Sequence, residues 1–166
     1  MAKQKIDVMV HRPHILVADH ERAFAVYRDI MGMKVNRVED ALSVTYEMLG
    51  CDPSKTKLRV AFLADSKTVF GAIAITEAKG LALPRPQPPY PMNIIIEVRM
   101  DALEDQIAKF RAAGPYASPP YVIPDPPPPR TDYVVEDYDG HSIVLFGLHS
   151  HAQGRSFEAG KTGNGQ

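Results

Sequence analysis

The sequence predicts an α+β chain built from two halves that repeat one plan and share a cavity. Three observations lead there. His14-Ile-Leu-Val-Ala-Asp19 is followed by Gly32 thirteen positions after the Asp, and Ile94-Ile-Ile-Glu-Val-Arg-Met-Asp101 is followed by Gly114 at the same interval. Each stretch reads as a strand, a capping Asp, an amphipathic helix and a glycine stop. Tyr138-Asp-Gly140 separates two alternating runs, which marks a hairpin. Thirteen of the fifteen prolines fall within residues 84–91 and 115–129, placing a linker between the halves and an interruption inside the second.

In order along the chain, Asp19 caps a helix whose apolar stripe is Ala23, Phe24, Tyr27, Ile30 and Met31. A strand follows over 33–38. Residues 40–50 read as a short helix inserted between strands, with Leu42, Tyr46 and Leu49 on one face. Leu58, Val60 and Phe62 alternate with Arg59, Ala61 and Leu63 in a third strand, and 70–76 form a fourth. In the second half, 93–99 is a strand, and Asp101 with Glu104 resembles a capping box for a helix that buries Leu103, Ile107 and Phe110. A short strand is expected at 121–123, a stiff extended loop at 126–129, and the closing hairpin over 131–137 and 141–148. From Gly154 the chain is polar and Gly-rich, as disordered tails are.

Composition narrows the partners. A net charge of −1 gives no pull toward nucleic acid or an anionic membrane. No apolar run approaches the roughly 20 residues that span a bilayer, and residues 1–7 lack an apolar signal core. The single Cys51 permits no intrachain disulfide, which suits a cytoplasmic protein. Cys51 has no charge pattern that activates a thiolate. No phosphate-binding glycine loop, HExxH or Gly-x-Ser-x-Gly is present.

Asp19-His-Glu-Arg-Ala-Phe-Ala-Val-Tyr-Arg-Asp-Ile-Met-Gly32 resembles the first helix of the vicinal-oxygen-chelate superfamily, and Glu136-Asp-Tyr-Asp-Gly-His-Ser-Ile-Val144 resembles its last hairpin. The superfamily includes glyoxalase I, extradiol dioxygenases, methylmalonyl-CoA epimerase and the fosfomycin- and bleomycin-resistance proteins. The resemblance spans about residues 12–148 and implies two βαβββ modules forming a cupped mixed sheet around a ligand. It implies an extension over 1–11, a first module over 12–80 with a helical insertion near 40–50, a Pro-rich linker over 81–91, a second module over 92–150 and a flexible tail over 151–166.

Many such proteins hold a divalent metal at four strand positions. Carried onto this chain, these fall at Arg12, Ala74, Asn93 (or Ile95 if the helix sets the alignment) and Val144. None is a strong ligand, so the expectation is no metal and no other cofactor. A metal could return only with His14 and Glu97 as substitutes.

Strand alternation puts Arg12, His14 and Leu16 on one face, and Asn93, Ile95 and Glu97 on one face. His14 and Glu97 are the candidate acid–base pair. Arg12 would grip a substrate carboxylate or phosphate, and Asn93 would donate to a developing oxyanion. Tyr46 would cover the ligand, while Val144 and Phe146 on the last strand complete the binding set. The competing reading of these residues is a structural ion pair or polar cluster. His20 should be exposed, His141 a turn residue, and His149 and His151 solvent-facing.

Three functions stay open. The first is metal-free proton transfer on a small oxygenated or aromatic metabolite by an isomerase, lyase or hydrolase. The second is sequestration of a small molecule, as in resistance proteins. The third is a metal-dependent lyase or ring-cleaving dioxygenase. A homodimer is expected, because Ile94-Ile-Ile suits a strand buried on both faces.

Overall fold

The computed structural model describes residues 12–65, 71–90, 92–124 and 129–149. The expected extension, the loop at 126–128, Phe70, His151 and the tail lie outside the described residues. The chain divides into two units, Met1–Pro84 and Arg85–Gln166.

In the first unit, β1 (His14–Val17) leads through the N-cap Asp19 into α1 (His20–Phe24), whose Arg22 N–H donates to the Asp19 carboxylate at 2.9 Å. The helix widens into a π-helical stretch, Ala25–Ile30, where Met31 N–H reaches back five residues to the Val26 carbonyl. There follow β2 (Lys34–Asp40), α2 (Ser43–Leu49), β3 (Lys57–Ala64) and β4 (Ile73–Lys79). The sheet order is β1-β4-β3-β2, with β1 parallel to β4 and the other pairs antiparallel. The core lies between α1 with its π-helical continuation and one face of this sheet. Val17, Val26, Tyr27, Leu63 and Ile75 are fully buried, each such side chain stabilising by about 1.5–3 kcal/mol.

The second unit repeats the plan: β5 (Asn93–Glu97), α3 (Met100–Ala113), β6 (Tyr121–Ile123), β7 (Arg130–Glu136) and β8 (Ser142–Leu148), in the order β5-β8-β7-β6. Leu103, Ile107 and Phe110 of α3 are fully buried with Val135, Ile143 and Leu145 of the sheet. At the hairpin, Asp137 accepts N–H bonds from Asp139 and His141, each at 2.9 Å, and one from His141 Nδ1 at 2.8 Å. Gly140 must be glycine. Its φ is +89°, and a Cβ would stand 2.7 Å from Arg85 Cγ.

Several expectations are corrected. His20 is 4% exposed rather than solvent-facing. Its backbone N–H donates to Glu77 Oε1 at 3.1 Å, and its ring Nε2 lies 3.1 Å from the Ile75 carbonyl. β4 runs to Lys79, past the expected end at Thr76, because its ladder with β3 continues as far as Lys57. The cap of α3 is Arg99, not Asp101, and Arg99 pairs with Asp101 instead. Glu104 accepts from the Tyr133 hydroxyl at 2.6 Å rather than closing a capping box. Leu42 is 70% exposed at the N-cap of α2 rather than on its inner face. Ile94 is buried but Ile95 is 68% exposed, so within one chain β5 is covered on one face only.

Candidate functional site

In the first unit, the sheet face away from α1 carries a row that crosses all four strands. Arg37 pairs with Phe62, Phe62 with Ala74, and Ala74 with His14. Residues directly opposed across neighbouring strands point to the same side. The contacts agree. The guanidinium carbon of Arg37 lies 4.5 Å from the centre of the Phe62 ring, and that of Arg12 lies 4.9 Å from it. In the adjacent row, Thr76 shares a short hydrogen bond with His14 Nε2. The small Ala74, 3% exposed, stands between Phe62 and His14 in this row.

Gly71 is buried with φ +94°, and a Cβ there would come within 3.0 Å of the Leu63 carbonyl oxygen and 3.4 Å of Arg12 Nη1. Burial, and after it the charge of Arg12, hold the His14 imidazole below its ordinary value. His14 is therefore neutral at neutral pH, the state a base requires. Tyr46, half-buried on α2, accepts the Leu58 N–H at 2.9 Å and so ties α2 to β3 through its hydroxyl.

In the second unit, Asn93, Glu97, Val144 and Phe146 share the sheet face away from α3. Asn93 opposes Ser142, Ile95 opposes Val144, and Glu97 opposes Phe146. Asp132 also opposes Phe146. Arg130 lies over the Phe146 ring at 5.6 Å and pairs with the Asp132 carboxylate at 3.0 Å. Glu136 on this face accepts from Arg85 Nη2 at 3.0 Å and from the Tyr90 hydroxyl. That hydrogen bond, more than burial or charge, pushes Tyr90 up to about 12. His141 responds in the opposite sense to His14. Burial pulls it down, but the hydrogen bond and charge of Asp137, with Asp139, outweigh burial and hold it above its ordinary value. His149 is exposed and shares a 2.9 Å hydrogen bond with Thr131.

A divalent metal is implied by many proteins of the resembling superfamily, so its fit to these residues matters. In the first unit the corresponding places hold Arg12, stacked on Phe62, and Ala74. In the second they hold Asn93, or the alternative Ile95, and Val144, with Ile95 directly opposite Val144. Among the described residues, no group of three or more His, Cys, Asp or Glu side chains gathers to hold an ion. These residues do not fit the metal.

Sequence reasoning missed Phe62, Thr76 and Arg37. Thr76 was within reach, being two residues along one strand face from Ala74. Arg37 was not, because a β-bulge sits between Val35 and Arg37. Regular alternation from Val35 would have turned Asn36 toward Phe62 and Arg37 away.

No protein-family model and no curated protein matches the sequence. Solved structures do match. A glyoxalase family protein from Bacillus cereus is 14% identical, covers 89% of this chain and 98% of its own, and has a TM-score of 0.67. The trypanothione-dependent glyoxalase I of Leishmania major is 20% identical over 84% of this chain and 87% of its own, with a TM-score of 0.59. The fosfomycin resistance protein FosX of Listeria monocytogenes is 16% identical over 89% and 99%, with a TM-score of 0.54. Each is a likeness of fold. With two β-α-β-β-β units in the same strand order, this chain has the glyoxalase-type fold of the vicinal-oxygen-chelate superfamily.

Proposed function

We propose that the chain is an enzyme that moves a proton on a small oxygenated anion, without the metal common in this fold, and that His14 is its base. The observation that carries this reading is the His14 imidazole, hydrogen-bonded to Thr76 in the sheet face that also carries Phe62, with the Arg12 guanidinium over the Phe62 ring. With Nε2–H donating to Thr76 Oγ1, the lone pair of Nδ1 accepts a proton from a carbon acidified by a neighbouring carbonyl. Arg12 holds the anionic end of the substrate, and Phe62 gives its flat body a surface. Arg12 also disfavours the protonated imidazole, so the proton is readily passed on.

The experiment is deuterium wash-in. Small 2-oxo and 2-hydroxy carboxylates, 2-oxobutyrate first, are incubated with the protein in D2O and followed by proton NMR. The reading expects protein-dependent loss of the acidified C–H signal, lowered about 100-fold or more by His14→Gln. Binding of such a compound without exchange would instead establish sequestration.

We also read the chain as a cytoplasmic homodimer, in which a second copy covers the exposed Ile95 on β5. No helix among the described residues is long and apolar enough to cross a membrane. Light scattering that shows only monomer at working concentration removes the dimer.

A further inference from the structure

We propose that residues 42–50, α2 with its two ends, form a flap that opens while the first unit's sheet stays folded, and that the Tyr46 hydroxyl on the Leu58 N–H is its latch. The flap is independent of the proton-transfer reading, because none of its residues takes part in that step.

α2 lacks most of what holds a helix. It has seven residues, and isolated helices shorter than about 12–15 residues are marginal in water. Its N-cap is Leu42, which offers no acceptor to the orphan N–H groups of the first turn. No acid lies in that turn and no base in the last, so nothing complements the helix dipole. None of its residues is buried, and the apolar side chains of Leu42, Val44 and Met48 face water. α3 is the contrast, with fourteen residues and with Leu103, Ile107 and Phe110 fully buried. Opening α2 gives up little apolar burial, whereas opening α3 would unpack the core beneath it.

A single tie holds α2 to the sheet. Tyr46 Oη accepts the Leu58 N–H at 2.9 Å. Among the described residues no other side-chain hydrogen bond and no ion pair joins α2 to a strand. Cys51 Sγ reaches the Leu49 carbonyl at 3.7 Å, but both belong to the same loop. The tie also finishes the β2–β3 ladder. β2 ends at Asp40, opposite Arg59, and Ala41 N–H still donates to the Leu58 carbonyl at 3.1 Å. The Leu58 N–H, on the same edge of β3, takes a phenol where a strand would offer a carbonyl. A tyrosine side chain can leave that place without unzipping the strand.

The ends of the flap are anchored. Ala41 is fixed by its bond to Leu58. Beyond Gly50, the Asp52 carbonyl accepts the N–H groups of Lys55 at 3.0 Å and Thr56 at 2.9 Å, and Thr56 is buried just before β3 begins. Motion is therefore confined to 42–50, between two fixed points beside Leu58. Compact surface loops with close ends are frequently functional. Closed, this one fills the last donor of the ladder. Open, it frees that donor and the edge of β3 beside it.

The test is amide hydrogen exchange, followed by NMR on the full-length wild type, Tyr46→Phe and Met48→Gln, with and without low urea. Amides 47–49, bonded within α2, should exchange about 100-fold or more faster than those of the β3–β4 ladder. Low urea should barely change their rates, because a local opening exposes little surface. Tyr46→Phe should speed amides 47–49 about fivefold, the worth of one hydrogen bond, and leave the ladder within twofold. Met48→Gln alters only a side chain that faces water and should leave both sets within twofold. Amides 47–49 that exchange as slowly as the ladder, and quicken with urea in step with it, overturn the flap, since α2 then opens only with the whole fold. Unchanged rates at 47–49 in Tyr46→Phe overturn the latch. So does a Tyr46→Phe variant that speeds the ladder equally, because Tyr46 then stabilises the whole unit. Deuterium wash-in at a substrate carbon neither supports nor sinks the flap, so the two readings fail separately.

Discussion

The two units share a topology, yet the sheet faces that lie away from their helices are finished differently. In the first, the row Arg37–Phe62–Ala74–His14 gathers two guanidiniums on one ring and faces them, across a small residue, with an imidazole. In the second, the row Tyr121–Asp132–Phe146–Glu97 is acidic, and a phenylalanine stands on the strand equivalent to that of Ala74. Two of that face's carboxylates have partners in their own unit, Asp132 in Arg130 and Glu136 in Arg85 and Tyr90. A face whose charges are compensated locally is built for stability. The comparison teaches that duplication can keep a fold and divide its duties.

The largest effect that could break this contrast is catalytic. Deuterium exchange at carbon reads the base step rather than the acid's. If that step belongs to the first unit's row, His14→Gln removes about 100-fold or more of the exchange, whereas Glu97→Gln changes it by less than about threefold. Equal losses in the two variants would show that the second unit contributes to proton removal as well, and NMR exchange rates measure both.

Stability should show the reverse bias. Asp137 is 1% exposed and closes the β7–β8 hairpin by accepting three hydrogen bonds. Asp137→Ala leaves two backbone N–H groups unpaired and should cost about 3 kcal/mol in urea unfolding. Thr76→Val removes the partner of His14 but no backbone bond, and should cost about 1 kcal/mol.

The two histidines sharpen the contrast through pH. His141 has a folded value above that of the unfolded chain. Its stabilisation is full below the unfolded value of about 6.5 and fades as pH rises through the folded one. His14 has a folded value below it, so as pH falls under about 6.5 the unfolded chain takes up the proton first and stability drops. Urea midpoints between pH 5 and pH 8 should therefore tilt in opposite senses in the two variants. His141→Gln leaves the loss on acidification that His14 causes, and His14→Gln leaves the loss on alkalinisation that His141 causes. Parallel slopes would contradict the assigned environments.

What the sequence revealed follows from how local each signal is. The alternation of Leu58, Val60 and Phe62, the Asp137–Gly140 turn and the stripe Leu103, Ile107, Phe110 each depend on neighbours in the chain, and each element stands where expected. Val26 was overlooked because the π-helical stretch widens the turn and sets it inside beside Tyr27. His20 and Glu77 were misjudged because two polar residues 57 positions apart satisfy each other, which no local window contains. The candidate site divides the same way. Arg12 and His14 lie on one short strand segment, and their shared face follows from period two. Arg37 depends on a register shift that only the paired strand defines.

The smallest effect is the closest test of the contrast, because it sets two arginines that look alike against each other. Arg130 and Arg37 each lie over a phenylalanine and each pair with an acid two residues along the same strand. They differ in the acid. Asp132 has a side chain only 13% exposed and sits 3.0 Å from Arg130, whereas Glu39 is 46% exposed and 3.4 Å from Arg37. A buried partner fixes its arginine and cancels its charge, while an exposed one is shared with water. Arg130→Gln should therefore cost about 1 kcal/mol in stability, read by urea unfolding. Arg37→Gln should leave the urea midpoint little changed. If both variants lose stability alike, the burial of the acid beside the arginine is not what divides the two faces.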